Sequence, residues 1–187
     1  SGSRAFENGT DLGIQSKTYN SRILIDFGSE INNLSASIDS GEIPRLSNSN
    51  LQSASIFLSL RATEASDLLQ TYSIKAYPIS QSWNNGRGTF GDVPENKIGS
   101  SWFNRSGDAK AQTGVAWDTG SAHSGGTSFG TTETIGGGTW ITGSGYEASQ
   151  SFENESPDIR MDVTDIVQKW VANDITNNGF IVKRSHI

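Results

Sequence analysis

The stretch from Ile159 to Val182 limits what this chain can fold into more than any other. Val163, Ile166, Val167, Trp170 and Val171 fall at i, i+3, i+4, i+7 and i+8, the spacing that lays one apolar stripe along a helix of about three turns. The rest of the chain reads as lacking that period. Asp162 stands in the N-cap position, and Asp165 three residues on is a shorter form of the capping-box acid, so both carboxylates suit the positive helix end. Asn173 to Gly179 is rich in turn formers, and Phe180-Ile181-Val182 follows as a short run of strand formers. The unit is strand, short helix, turn, strand. A helix of this length is marginal alone, so its Trp170 stripe must lie on a large apolar surface, which points to a sheet.

Composition sets the class of that surface. The chain has 187 residues, enough for one domain with a proper core. Glycine, serine, threonine and asparagine are abundant and methionine occurs once, a balance that favours strands and turns, so the expected class is all-β. A net charge of -6 and a pI near 4.8 argue against a phosphate-binding surface, because nucleic-acid affinity needs clustered Lys and Arg. No apolar run approaches the ~20 residues that span a bilayer. There is no cysteine, hence no disulfide and no thiolate metal site. The chain opens Ser1-Gly2-Ser3 and stops at His186-Ile187 directly after a strand, so it reads as a single module, residues 1–187, cut from a longer protein.

Taken in order, Arg22 to Phe27 is an apolar run of strand length. Asn32 to Asn50 is polar, carries Gly41 and Pro44, and reads as a surface loop. Leu51 to Leu60 alternates, with Ala54, Ile56, Leu58 and Leu60 on one side, and Leu68 to Tyr77 alternates again before Pro78. Leu51 to Ile79 is therefore expected to be a hairpin. Gln81 to Gln150 then holds Trp83, Trp102, Trp117, Trp140 and most of the glycines with little period, and so long an irregular stretch is often functional. The expected core comprises Phe27, Ile56, Leu58, Val163, Ile166, Val167, Trp170 and Phe180.

The four tryptophans of the Gly-rich region are the candidates for recognition. Flat indole faces stack on sugar rings and lose few rotors in doing so, with Arg105 as a candidate hydrogen-bonding partner by charge. Tryptophan is also highly buried on average, so packing of these loops onto the sheet is the competing reading. Gly136-Gly137-Gly138-Thr139-Trp140 lacks the lysine and following helix of a nucleotide loop and reads as conformational. Asp92, Glu95, Asp108 and Asp118 have no spacing of a dedicated calcium loop, so a structural Ca²⁺ cannot be assigned to residues and no cofactor is expected. His123 and His186 have no partners in metal-ligand spacing, and no nucleophile–base–acid set emerges, so catalysis has no positive support.

The order of several motifs resembles a known family. Arg22-Ile23-Leu24-Ile25-Asp26-Phe27, the strand at Ala54 to Leu60, Gln81-Ser82-Trp83-Asn84-Asn85-Gly86, Asp92-Val93-Pro94, Asp162 to Trp170 and Asn178-Gly179-Phe180-Ile181 together resemble the DNRLRE (disaggregatase-related) modules over nearly the whole chain. Pro78 to Trp83, Gly99 to Trp102, Asn104-Arg105, Gly137 to Trp140 and Gln150-Ser151-Phe152 are most similar to versions in structural proteins of tailed bacteriophages. The resemblance implies a jelly-roll β-sandwich with one short helix near the C-terminus. It also implies a non-catalytic structural or adhesion module of a virion, in an appendage, baseplate or capsid decoration. The expected partners are other virion proteins, further copies of the chain and host-surface glycans, with neither nucleic acid nor a membrane span. The alternative is a carbohydrate-binding module of a secreted polysaccharide-degrading enzyme, for whose sugar cleft Arg61, Lys75, Arg87 and Arg105 are the basic candidates by charge.

Overall fold

The computed structural model describes residues 2–8, 19–43, 55–60, 71–87, 98–108, 113–118, 127–129, 132–134, 137–153 and 158–184. The apolar run at the C-terminal end is its central strand. Phe180–Arg184 pairs antiparallel on one side with Tyr19–Ile25 and on the other with Thr71–Pro78. Gly2–Asn8 and Ala148–Glu153 complete a five-stranded sheet. In chain order these strands are β1 (Gly2–Asn8), β2 (Tyr19–Ile25), β4 (Thr71–Pro78), β9 (Ala148–Glu153) and β11 (Phe180–Arg184), with sheet order β1-β2-β11-β4-β9. Three successive residues of β11, Phe180, Ile181 and Val182, are all buried, as a strand covered on both faces must be. Its continuous apolar run, without alternation, is the sequence form of that position.

One face carries the larger core. Helix α2 (Thr164–Val171) lays Ile166, Val167 and Trp170 on it, and the Trp170 ring meets Phe180 edge to face at 4.7 Å. Met161 and Leu58 join this core from a two-stranded ribbon of β3 (Phe57–Leu60) and β10 (Ile159–Asp162), where they are direct partners. Val163 is buried there as well, while Phe27 and Ile56 are half-buried at its margin. Asp162 sits one residue ahead of the assigned N-cap, yet its Oδ1 accepts the Thr164 backbone N–H at 3.0 Å and the Thr164 hydroxyl at 2.6 Å. These two bonds hold the Asp162 carboxyl below its ordinary range. Gln150 closes the edge at β9 by accepting Arg160 N at 2.7 Å, which ties the sheet to β10.

Two expectations are corrected. Gly28–Asp39 is a helix, α1, where a loop was expected from Asn32 onward, so the fold has two short helices. Ile31, Leu34 and Ile38 lie at i, i+3 and i+7 and pack on the same core; Ser and Asn between them hide that stripe in composition. Its start repeats the device of α2: Asp26 Oδ1 accepts the Gly28 N–H at 2.9 Å, two residues on. The hairpin expected over Leu51 to Ile79 does not form either, because β3 pairs with β10 while β4 lies between β11 and β9. Alternation marks a strand and its faces but does not name its partner.

Two short antiparallel pieces are described within the Gly-rich region. Asn104–Ser106 (β5) pairs with Val115–Ala116 (β6), and Thr127–Phe129 (β7) with Thr132–Thr134 (β8). Every described pairing in the protein is antiparallel, and the fold is predominantly strand. No described helix is long and apolar enough to cross a membrane.

Candidate functional site

The other face of the central sheet is where described loops of the Gly-rich region pack. Leu24, Ile181 and Tyr77 form one row across β2, β11 and β4, and Trp117 and Trp140 cover it. The loops that carry these indoles are pinned by backbone bonds to strand ends. Ile141 N donates to Pro78 O at 3.0 Å and Ser80 N to Thr139 O at 3.1 Å. Gln81 Oε1 accepts both Asp118 N and Thr139 Oγ1, at 2.8 and 3.1 Å, so one side chain holds two loops together.

The indoles themselves are packing elements. Trp102, Trp117 and Trp140 are 3, 2 and 6 % exposed, and the Trp117 Nε1–H donates to Ser101 O at 3.0 Å. Sugar stacking on these three is therefore corrected: their faces already lie against protein. Trp83 keeps a half-exposed ring and donates Nε1–H to Asn178 O at 2.8 Å. Arg105 is engaged locally, with Nη1 donating to Ser82 O at 2.8 Å, so it fastens β5 to the loop before it. Asp108 and Asp118 are described, Asp92, Glu95, His123, His186 and Arg61 lie outside the described residues, and Arg87 is exposed. Among the described residues no group of three or more His, Asp or Glu is placed to hold a metal ion.

Beside the indoles lies a group of charges that the sequence reading did not assemble. Lys183 on β11 is the direct neighbour of Arg22 on β2 and of Lys75 on β4. Arg22 is buried, with its guanidinium carbon 4.7 Å from the Trp102 ring centre and 5.0 Å from that of Trp140, and its Nη1 donates to Gly137 O at 2.6 Å. Lys75 pairs with Glu147 at 2.7 Å, and Glu147 Oε2 also accepts the Tyr77 hydroxyl at 2.6 Å. The Lys183 ammonium lies 4.9 Å from the Trp140 ring centre and 5.8 Å from that of Tyr77. Arg22 and Lys75 are the single cations of β2 and β4, and Lys183 with Arg184 ends β11, so the line is visible in sequence once the register is known.

The ionisations follow from this crowding. Burial first, then the charges of Arg22 and Lys75, hold Lys183 below the ordinary lysine range. Burial, and then the hydrogen bond to Glu147, push Tyr77 up, so its hydroxyl stays a donor at every physiological pH. Burial alone would raise Glu147, but the hydrogen bonds from Lys75 and Tyr77 and the charges of Lys75 and Lys183 outweigh it and hold the carboxyl low.

Two outcomes are expected. Because the folded Glu147 carboxyl lies below its ordinary value of 4.5, the unfolded chain takes up that proton first. The stability it contributes is present above that pH and is lost as pH falls through the lower, folded value. Urea midpoints measured from pH 6 to 3 should fall, and Glu147→Gln should flatten the part of the slope due to this group. Conversely, Lys183→Met removes a like charge from between two others and should raise the urea midpoint, by an amount equivalent to about 0.2–1 kcal/mol.

No family model, no curated protein and no solved structure matches the chain.

Proposed function

We propose that the chain is a non-catalytic β-sandwich module of jelly-roll type from a phage particle, held in an appendage, baseplate or capsid decoration by contacts with other virion proteins. The observation that supports this best is the use made of the Gly-rich region. Its three most buried tryptophans serve packing: Trp117 and Trp140 lie in the cluster on one sheet face, and Trp102 stacks on Arg22 beside it, so the described loops that carry them are fastened to the sheet. The order of DNRLRE-like motifs along the sequence supports it further, by analogy of fold.

Peptide mapping of purified source particles tests the reading. Peptides of this chain should travel with capsid or tail proteins through a density gradient. Recovery solely as a free secreted protein, or fused to a lyase or hydrolase domain, would overturn it and favour the carbohydrate-binding module. Among the tryptophans named for sugar stacking, the half-exposed ring of Trp83 supports that second reading, and Trp83→Ala should then abolish glycan retention while leaving the fold intact.

A further inference from the structure

Register places Arg22, Lys183 and Lys75 in one line across three adjacent strands, with Lys183 directly opposite each of the others. Directly paired residues share a face of the sheet, with Cβ atoms about 4.5–5.5 Å apart, and like charges at that spacing oppose folding. A sheet shaped for stability alone would alternate the signs. The chain as a whole is acidic, with 20 Asp and Glu against 14 Lys and Arg, so the line also runs against the overall charge.

Compensation within the described residues is incomplete. Glu147 is taken by Lys75 and by the Tyr77 hydroxyl, and Arg22 is held against Gly137 O and two indoles. Lys183 has ring faces beside it and no carboxylate within ion-pair distance among the described residues. Ring contacts attract a cation but leave its charge in place. The Trp102 Nε1–H, on the ring that stacks against Arg22, is buried and has no acceptor among the described residues. Among the described residues, the half-buried Lys183 thus has aromatic faces but no ion-paired carboxylate beside it.

We propose that the Arg22–Lys183–Lys75 line is a docking site for a carboxylate-bearing segment of a neighbouring protein, with Lys183 receiving the carboxylate. Arg22 and Lys75, each already engaged, contribute field; Lys183 contributes the donor. A peptide fits better than a sugar here, because Trp102, Trp117 and Trp140 offer no open indole face on which a pyranose could lie. The inference rests on the reading of the chain as a module among protein neighbours.

The test titrates an acetylated hexaglutamate peptide into the full chain and follows Trp fluorescence and heat. Sodium acetate at matched carboxylate concentration and a polyuronate such as alginate are the comparison ligands. The peptide should bind, weaken with added salt, and lose about tenfold or more in affinity in Lys183→Gln, as expected for loss of a charge-assisted bond. Lys169→Gln, on helix α2, should bind as the parent does. Lys183→Met should behave like Lys183→Gln, and both should melt no lower than the parent, so that the loss is not one of folding. The proposal is overturned if the peptide binds no better than acetate, if Lys169→Gln loses as much as Lys183→Gln, or if alginate alone needs Lys183. Particle sedimentation separates the two readings: retention of both parent and Lys183→Gln on particles sinks the docking site and leaves the module, whereas a parent that never joins particles sinks the module.

Discussion

Trp117→Ala should lower the free energy of unfolding by about 3–5 kcal/mol, the range for truncating a fully enclosed large aromatic. The side chain is 2 % exposed, lies in the cluster with Leu24, Ile181 and Tyr77, and donates its only N–H to Ser101 O. Truncation therefore opens a cavity over the central sheet and leaves a carbonyl without its donor, two costs that act together. Because the Trp117 backbone N–H, just after β6, is bonded to Phe103 O, just before β5, the loss should also loosen the pairing of β5 with β6. Urea denaturation of the variant measures it: the midpoint should fall sharply while the slope stays near that of the parent. A midpoint within about 0.5 kcal/mol of the parent, the range of ordinary surface changes, would mean that the indole is not part of the core.

The same residue shows what the sequence can and cannot convey. Trp170 was legible as core because four neighbours share its 3.6-residue period, and periodicity is a local property. Trp117 has no such neighbours; the strand residues of its cluster, Leu24, Tyr77 and Ile181, come from β2, β4 and β11, far from it along the chain. Burial of that kind is decided by strand pairing, which no window of sequence contains. The cation line is the sharper instance. Arg22, Lys75 and Lys183 each look like an ordinary solvated charge in isolation, and they become a site when two registers bring them level. Helix α1 was lost for a different reason. Its stripe of Ile31, Leu34 and Ile38 is present but thin, set among serines and asparagines whose propensity favours caps and turns, and packing against α2 and the sheet overrides that preference. What could have announced it is the Asp two residues before the first helical N–H, which both helices use.

Gly179→Ala should cost about 2–4 kcal/mol, more than a change of one methyl group would ordinarily bring. Gly179 sits at the junction between the turn after α2 and the central strand, with φ at 82°, in the left-handed region that a Cβ disfavours. Its carbonyl accepts Ile79 N at 2.9 Å and its own N–H donates to Asn177 Oδ1 at 3.0 Å, so the dihedral is held from both sides. A Cβ there would also overlap the Ile25 carbonyl oxygen at the end of β2, and that oxygen is backbone and cannot swing away. Relief would have to come by parting β11 from β2, the two strands that carry Lys183 and Arg22. Gly41→Ala isolates the two contributions, because Gly41 has nearly the same φ, 81°, at the end of α1, and a Cβ there meets nothing within 4 Å. That variant pays only the dihedral penalty, about 1 kcal/mol. Urea midpoints of the pair should therefore differ clearly, with Gly179→Ala the lower. Equal losses would show that the collision with β2 is absorbed without cost, and hence that the pairing of β2 with β11 is looser than two adjacent central strands require.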